Sequence, residues 1–215
     1  MAEQLPINFP LPSESAVASY NYVDVETGLG ITTYYLAQQK DDGGVDYIMT
    51  PYTLASHRSV IVFDAGWGAA TTFTFYSGVF NSPRYLKGRI DFNFCAAFNG
   101  TAGATMEHEV KVYHYDGSSS TQIGGTWTSE TLTLAAATET MCANGSITST
   151  GTNFKKGDQI KVEVILNRTG SYGDYELGID PQARDSDQVT PLLVKATYPN
   201  LFTNFTMDIP FRVEL

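Results

Sequence analysis

The chain has 215 residues, with 13 Lys and Arg against 23 Asp and Glu, a formal net charge of -10. That balance excludes a surface built to hold nucleic acid, which needs clustered cations. The acids are scattered and form no run, so they read as solubility. Thirteen Tyr, 12 Phe and 19 Gly, with plentiful Thr, favour strands joined by turns over helices.

The chain opens on Met1-Ala2-Glu3-Gln4, with no basic segment and no apolar run behind it, so no signal peptide and no membrane span are expected. Residues 1–15 interleave Pro6, Pro10 and Pro12 with Leu5, Ile7, Phe9 and Leu11. Proline removes ladder donors and favours extended backbone. This stretch is an expected N-terminal arm, and its four apolar side chains are the expected partner-binding residues.

Strands are expected over 31–38, 47–54, 59–63 and 71–76, with turns at Gly43-Gly44, Gly66-Trp67-Gly68 and Asn81-Ser82-Pro83. The segment 84–98 is the longest candidate, with Ile90, Phe92, Phe94 and Ala96 on one face and Arg89, Asp91 and Asn93 on the other. In 106–115, Val110 and Val112, with His108 and His114, oppose Glu109, Lys111, Tyr113 and Tyr115. Asp116-Gly117 and the serines after it make a turn. Segment 123–134 is a strand pair or one strand interrupted at Gly124-Gly125, and 138–148 is a weak strand region split at Asn144-Gly145. Ala135-Ala136-Ala137 offers one helical turn at most.

The clearest pattern is 154–181. A Lys155-Lys156-Gly157-Asp158 turn leads to Ile160, Val162, Val164 and Leu166 alternating with Gln159, Lys161 and Glu163, then a polar turn, then a second strand at 175–179. The spacing predicts a hairpin with one apolar face. Such a face needs a second layer to cover it. Strands are also expected over 192–198 and 205–213, where Pro210 predicts an edge strand or one whose donor side is free. About ten strands and no convincing helix predict an all-β, antiparallel, jelly-roll-like β-sandwich spanning 16–215 as a single domain behind the arm.

Chemistry is sparse. Cys95 and Cys142 are expected to be buried free thiols, with a disulfide open only if the fold joins them. No Cys/His spacing fits zinc. His57, His108 and His114 are expected to be ordinary surface or interface histidines. Glu107, Glu109, Asp174 and Glu176 could supply the facing carboxylates of a glycan-cleaving site, but fit a solvated strand face equally. Asp180, Asp185 and Asp187 could hold calcium, but lack the turn glycine and terminal glutamate of the familiar loop. Trp67, Trp127, Tyr172 and Tyr175 could stack on a sugar. No nucleophile elbow or phosphate loop is present. The expectation is no catalytic, cofactor-binding or metal-binding residue, and no enzyme.

Several stretches carry a resemblance. Asp24-Val25-Glu26-Thr27-Gly28-Leu29-Gly30 before the strand 31–36, Lys155-Lys156-Gly157-Asp158 before 159–166, Gly178-Ile179-Asp180-Pro181 and Ile209-Pro210-Phe211 resemble parts of capsid decoration or cement proteins (head auxiliary proteins) of tailed bacteriophages. The resemblance implies a jelly-roll virion structural protein, made in the host cytoplasm and placed on the outer capsid surface. It implies the major capsid protein and other copies of this chain, commonly in a homotrimer, as partners, with no nucleic acid and no membrane. The alternative is a carbohydrate-binding or receptor-binding β-sandwich module of a viral fibre or tail.

Overall fold

The computed structural model describes residues 29–41, 44–54, 60–63, 70–135, 138–170, 172–181 and 204–212. The arm residues Leu5, Ile7, Phe9 and Leu11, the corner at Trp67, the expected strand 192–198 and the residues His57, Asp185 and Asp187 lie outside them.

The described residues form twelve strands and no helix: β1 (Leu29–Asp41), β2 (Gly44–Thr50), β3 (Val60–Phe63), β4 (Ala70–Ser77), β5 (Arg84–Gly100), β6 (Thr105–Tyr115), β7 (Ser120–Thr128), β8 (Leu132–Thr133), β9 (Thr138–Phe154), β10 (Gln159–Thr169), β11 (Tyr172–Gly178) and β12 (Phe205–Arg212). They form a β-sandwich of the jelly-roll type. The hydrogen-bonded path runs β3-β11-β5-β12-β1-β2-β4-β10-β6-β7, with β9 on the free side of β5 and β8 on β6.

This path folds over itself into two layers. One holds β9, β5, β12, β1 and β2, extended by β11 and β3 along the second half of β5. The other holds β4, β10, β6 and β7. Their junction is a short parallel bridge, Ile48 opposite Tyr76 and Met49 opposite Ser77. Alternation explains the core: Ile90, Phe92 and Phe94 of β5 and Met207 and Ile209 of β12 are fully or nearly fully buried, as are Val110 and Val112 of β6 and Ile160, Val162 and Val164 of β10. Rings cross between layers, Phe94 meeting His108 and Trp127 at centroid distances of 5.2 and 6.2 Å.

The expected hairpin at 154–181 is not one. β10 pairs with β4 and β6, whereas β11 pairs with β3 and β5 in the other layer. The two apolar faces seek opposite sheets, so the polar link between the strands is a crossover. Asn144-Gly145 is not a break either; β9 runs unbroken through it. A Cβ at Gly145 would stand 2.5 Å from the Phe92 ring and 2.6 Å from Trp127. The glycine therefore makes room for rings rather than for a turn.

Pro210 lies inside a central strand, so of its two expected settings the edge is ruled out and the free donor side remains. β12 pairs on both sides, and its register with β5 slips between Asp208 and Phe211, where proline's missing donor is absorbed. Gly88, at φ 128°, faces the proline ring, whose Cγ stands 3.3 Å from where a Cβ would sit. The thiols also depart from expectation: Cys95 is half-buried, Cys142 is exposed, and the two are direct cross-strand partners in β5 and β9.

Candidate interaction surface

Several strand termini meet at one end of the sandwich. The pairings Tyr35 with Thr50 and Met49 with Ser77 send the start of β1 and the exits of β2 and β4 the same way. Ile31, Tyr52, Leu54 and Val79 therefore gather at this end, each 55–68% exposed. Pro51 stops β2, and the next residues turn back, Tyr52 N–H donating to Thr50 Oγ1 and Leu54 N–H to the Tyr52 carbonyl. Beneath them Phe80 is buried edge-on against Phe154 and Phe211, and the Arg84 guanidinium lies 5.0 Å from both the Phe80 and Phe211 ring centroids.

The turn after β9 belongs to the same end. Gly157 takes φ 96°, and Asp158 caps the turn by accepting the Lys155 N–H at 2.7 Å. Asp158 also accepts from His114 Nε2 at 2.6 Å. The Lys155 amide first, then His114, hold its carboxyl below the usual range against an opposing burial effect. Backbone bonds from Phe80 to Asp158 and from Gly157 to Phe80 fix this turn to the β4 exit.

Charge is divided between the ends. Arg84, Lys155, Lys156 and Arg212 are exposed beside the apolar group. Among the described residues, the exposed Asp116 at this end is tied into its own turn by the amides of Ser119 and Ser118, which hold it down to about 2. At the opposite end lie Asp46, Glu107, Glu130 and Glu139, exposed or half-buried.

The histidines take different roles along β6. His108 is fully buried, with Nε2 2.6 Å from the Tyr175 hydroxyl, and burial pushes its pKa down to about 3. Tyr175 is thus a core residue rather than a sugar platform. Glu109 pairs with Lys111 at 2.9 Å and accepts from Asn167, and these partners hold its carboxyl low. Glu176 and Asp180 are buried. Trp127 is half-buried against Phe92 and Phe94, while the side chains of Tyr172 and Asp174 lie outside the described set. Among the described residues no group of three or more His, Cys, Asp or Glu could hold a metal, and no helix is long and apolar enough to cross a membrane.

A second feature is a pocket of about 370 Å³ on the outer face of the β9-β5-β12 layer, lined by Arg89, Asp91, Asn93, Asn144, Asp208 and Trp127 among others. Asp91 sits directly across from Asp208. Like charges so placed repel. Arg89 Nε donates to Asp91 and the Thr33 hydroxyl to Asp208, each at 2.6 Å, and these bonds offset the repulsion. The pair of facing carboxylates sought in Glu107, Glu109, Asp174 and Glu176 is therefore supplied by different residues. They lie more than a hundred positions apart, and only the strand register brings them together. The apolar end was equally hidden: the expected strand ran through Leu54, whereas Pro51 was the available signal that it stops.

No protein family matches the chain, and no curated protein matches it. Among solved structures it is similar to a CocE/NonD family hydrolase from Staphylococcus aureus, with a TM-score of 0.50, 13% identity, and coverage of 86% of this chain but 37% of that one. It matches infectious bursal disease virus, Gt strain, with a TM-score of 0.28, 12% identity and coverage of 98% and 41%. It matches TmCBM61 in complex with β-1,4-galactotriose with a TM-score of 0.27, 17% identity and coverage of 75% and 96%. The last two likenesses are too slight to argue from. The hydrolase likeness shows the fold, and it corrects the expectation that the chain is no enzyme. A sandwich of this form makes up about a third of a hydrolase, so missing catalytic motifs in such a stretch do not exclude one.

Proposed function

We propose that the chain is a virion structural protein, a capsid decoration or cement protein whose sandwich associates with further copies through its apolar, basic-rimmed end. The observation that carries this reading is the gathering of Ile31, Tyr52, Leu54 and Val79 at one end beside four exposed cations, in a protein of net charge -10. Large apolar groups clustered on a surface mark contact with other protein. The acidic end of a second copy supplies the complementary charge. Such a contact is heterologous and closes into a ring when its rotation allows, a homotrimer being one such ring. The arm with Leu5, Ile7, Phe9 and Leu11 then reaches the major capsid protein. Light scattering on the full chain tests self-association: a multimer supports it, and a monomer at high concentration overturns it. Deleting residues 1–14 should weaken attachment to capsids while leaving the fold intact, and unchanged attachment would remove the arm's role.

The outer pocket favours a second reading, a carbohydrate-binding or receptor-binding module. Its amides and carboxylates are held in place by strand pairing and suit pairs of sugar hydroxyls, with Trp127 at its wall. A shift in tryptophan fluorescence on adding polysaccharide, lost in Asn93→Ala, would support it; no shift across a polysaccharide panel would overturn it.

A further inference from the structure

We propose that Cys95 and Cys142 are a modification site, a dithiol that closes reversibly into a cross-strand disulfide on the β5-β9 ribbon. The two residues are direct partners in the antiparallel register, flanked by Phe94 opposite Ala143 and Ala96 opposite Met141. Directly opposed residues have Cα atoms about 4.5–5.5 Å apart, inside the range of about 4.4–6.8 Å that a disulfide spans. Their side chains leave the ribbon on the same face.

The two thiols differ in access, and this sets the order of events. Cys142 is exposed and Cys95 is half-buried. Burial first, and then the neighbouring Cys142 thiol, push the Cys95 thiol up to about 12. Cys142 therefore reacts first. Its thiolate attacks one sulfur of a small-molecule disulfide such as oxidised glutathione, and one glutathione thiolate leaves. The mixed disulfide on Cys142 now faces Cys95. As Cys95 loses its proton to solvent, its sulfur attacks the Cys142 sulfur and expels the second glutathione. The protein dithiol is oxidised by two electrons, and the glutathione disulfide is reduced to two thiols.

The consequence follows from what lies between the cysteines. The closed loop contains β6, β7 and β8, which belong to the opposite layer. A bridge there restrains the unfolded chain across both layers. The oxidised protein should melt on the order of 5–10 °C higher than the reduced one.

The test treats the folded full chain with excess oxidised glutathione and reads intact mass, free-thiol count and a non-reducing peptide map. Wild type should lose both thiols, retain no glutathione and link the two cysteine peptides, and a reductant should reverse this. Cys95→Ser should retain one glutathione on Cys142, because nothing resolves it. Cys142→Ser should stay unmodified while folded. Wild type that keeps glutathione on Cys142, or that keeps both thiols free, overturns the proposal.

Discussion

The two ends of the sandwich are built from the same strands and carry opposite surfaces. Where β1 begins and β2 and β4 leave, four large apolar side chains stand among Arg84, Lys155, Lys156 and Arg212. Where β2, β6 and β9 begin, the described residues include the exposed or half-buried Asp46, Glu107, Glu130 and Glu139. The core does not require this division, because none of these groups is buried. A strand reversing at each end could take either charge at either turn. The proposed self-association uses this difference, which gives the molecule a direction. The same polarity appears inside: β6 brings His108 into the core towards the acidic end and His114 to a carboxylate at the basic end.

The comparison breaks most completely if the apolar group is made polar. Leu54→Asp with Val79→Asp should remove about 3–4 kcal/mol from association, a loss of a hundredfold or more in affinity, and turn the multimer into a monomer by light scattering. Thermal stability of the monomer should barely move, since both side chains are exposed. An unchanged multimer would assign the contact to another face.

Acid sharpens the internal half of the contrast. Folded His108 takes a proton only near pH 3, whereas the unfolded chain takes it near 6.5. The unfolded state thus binds the proton first as pH falls. The stability His108 brings in its neutral form is complete above about pH 6.5 and is lost between there and pH 3, on the order of 2–3 kcal/mol by pH 4. Denaturant melts of wild type and His108→Gln from pH 7 to 4 check this. The variant should start lower, because the Tyr175 contact changes, but should show a flatter dependence on pH over that interval.

Charge reversal tests whether the two ends recognise each other. Lys155→Glu with Lys156→Glu should weaken association by about 1–2 kcal/mol, and most of that loss should vanish at high salt. Adding Glu107→Lys and Glu130→Lys to the same chain should restore it by exchanging the signs of both ends. Failure of the exchange to rescue, with the first pair still damaging, would mean that the basic end meets a different acidic protein.

What could be read from the sequence follows the reach of each signal. Alternation is local, so β5, β6 and β10 stood out with their inward faces correct. Pairing is not local. The run from Gln159 to Gly178 looked like a hairpin because its strands are adjacent in sequence, yet each apolar face had a better partner elsewhere. Gly145 was read as a break and Pro210 as a mark of an edge or a free donor side, because their usual meaning is local; the neighbours that explain them, Phe92, Trp127 and Gly88, come from other strands. The surface end was the least visible part. Ile31, Tyr52, Leu54 and Val79 look like core residues until the topology leaves them uncovered.

The smallest expected effect separates the turn from the surface it supports. Asp158→Asn keeps an oxygen that can accept the Lys155 N–H but removes the charge facing His114. Folding holds the Asp158 carboxyl below its usual range, so its contribution is present above about pH 4 and fades as pH falls below that. The variant should melt a degree or two lower at pH 7, and the difference should shrink as pH falls below about 4. Association should be nearly unchanged, because Asp158 is buried and its role is to set the turn that presents Lys155 and Lys156. A variant that loses association while keeping its melting temperature would show that the turn's shape, more than its charge, determines what the basic end can hold.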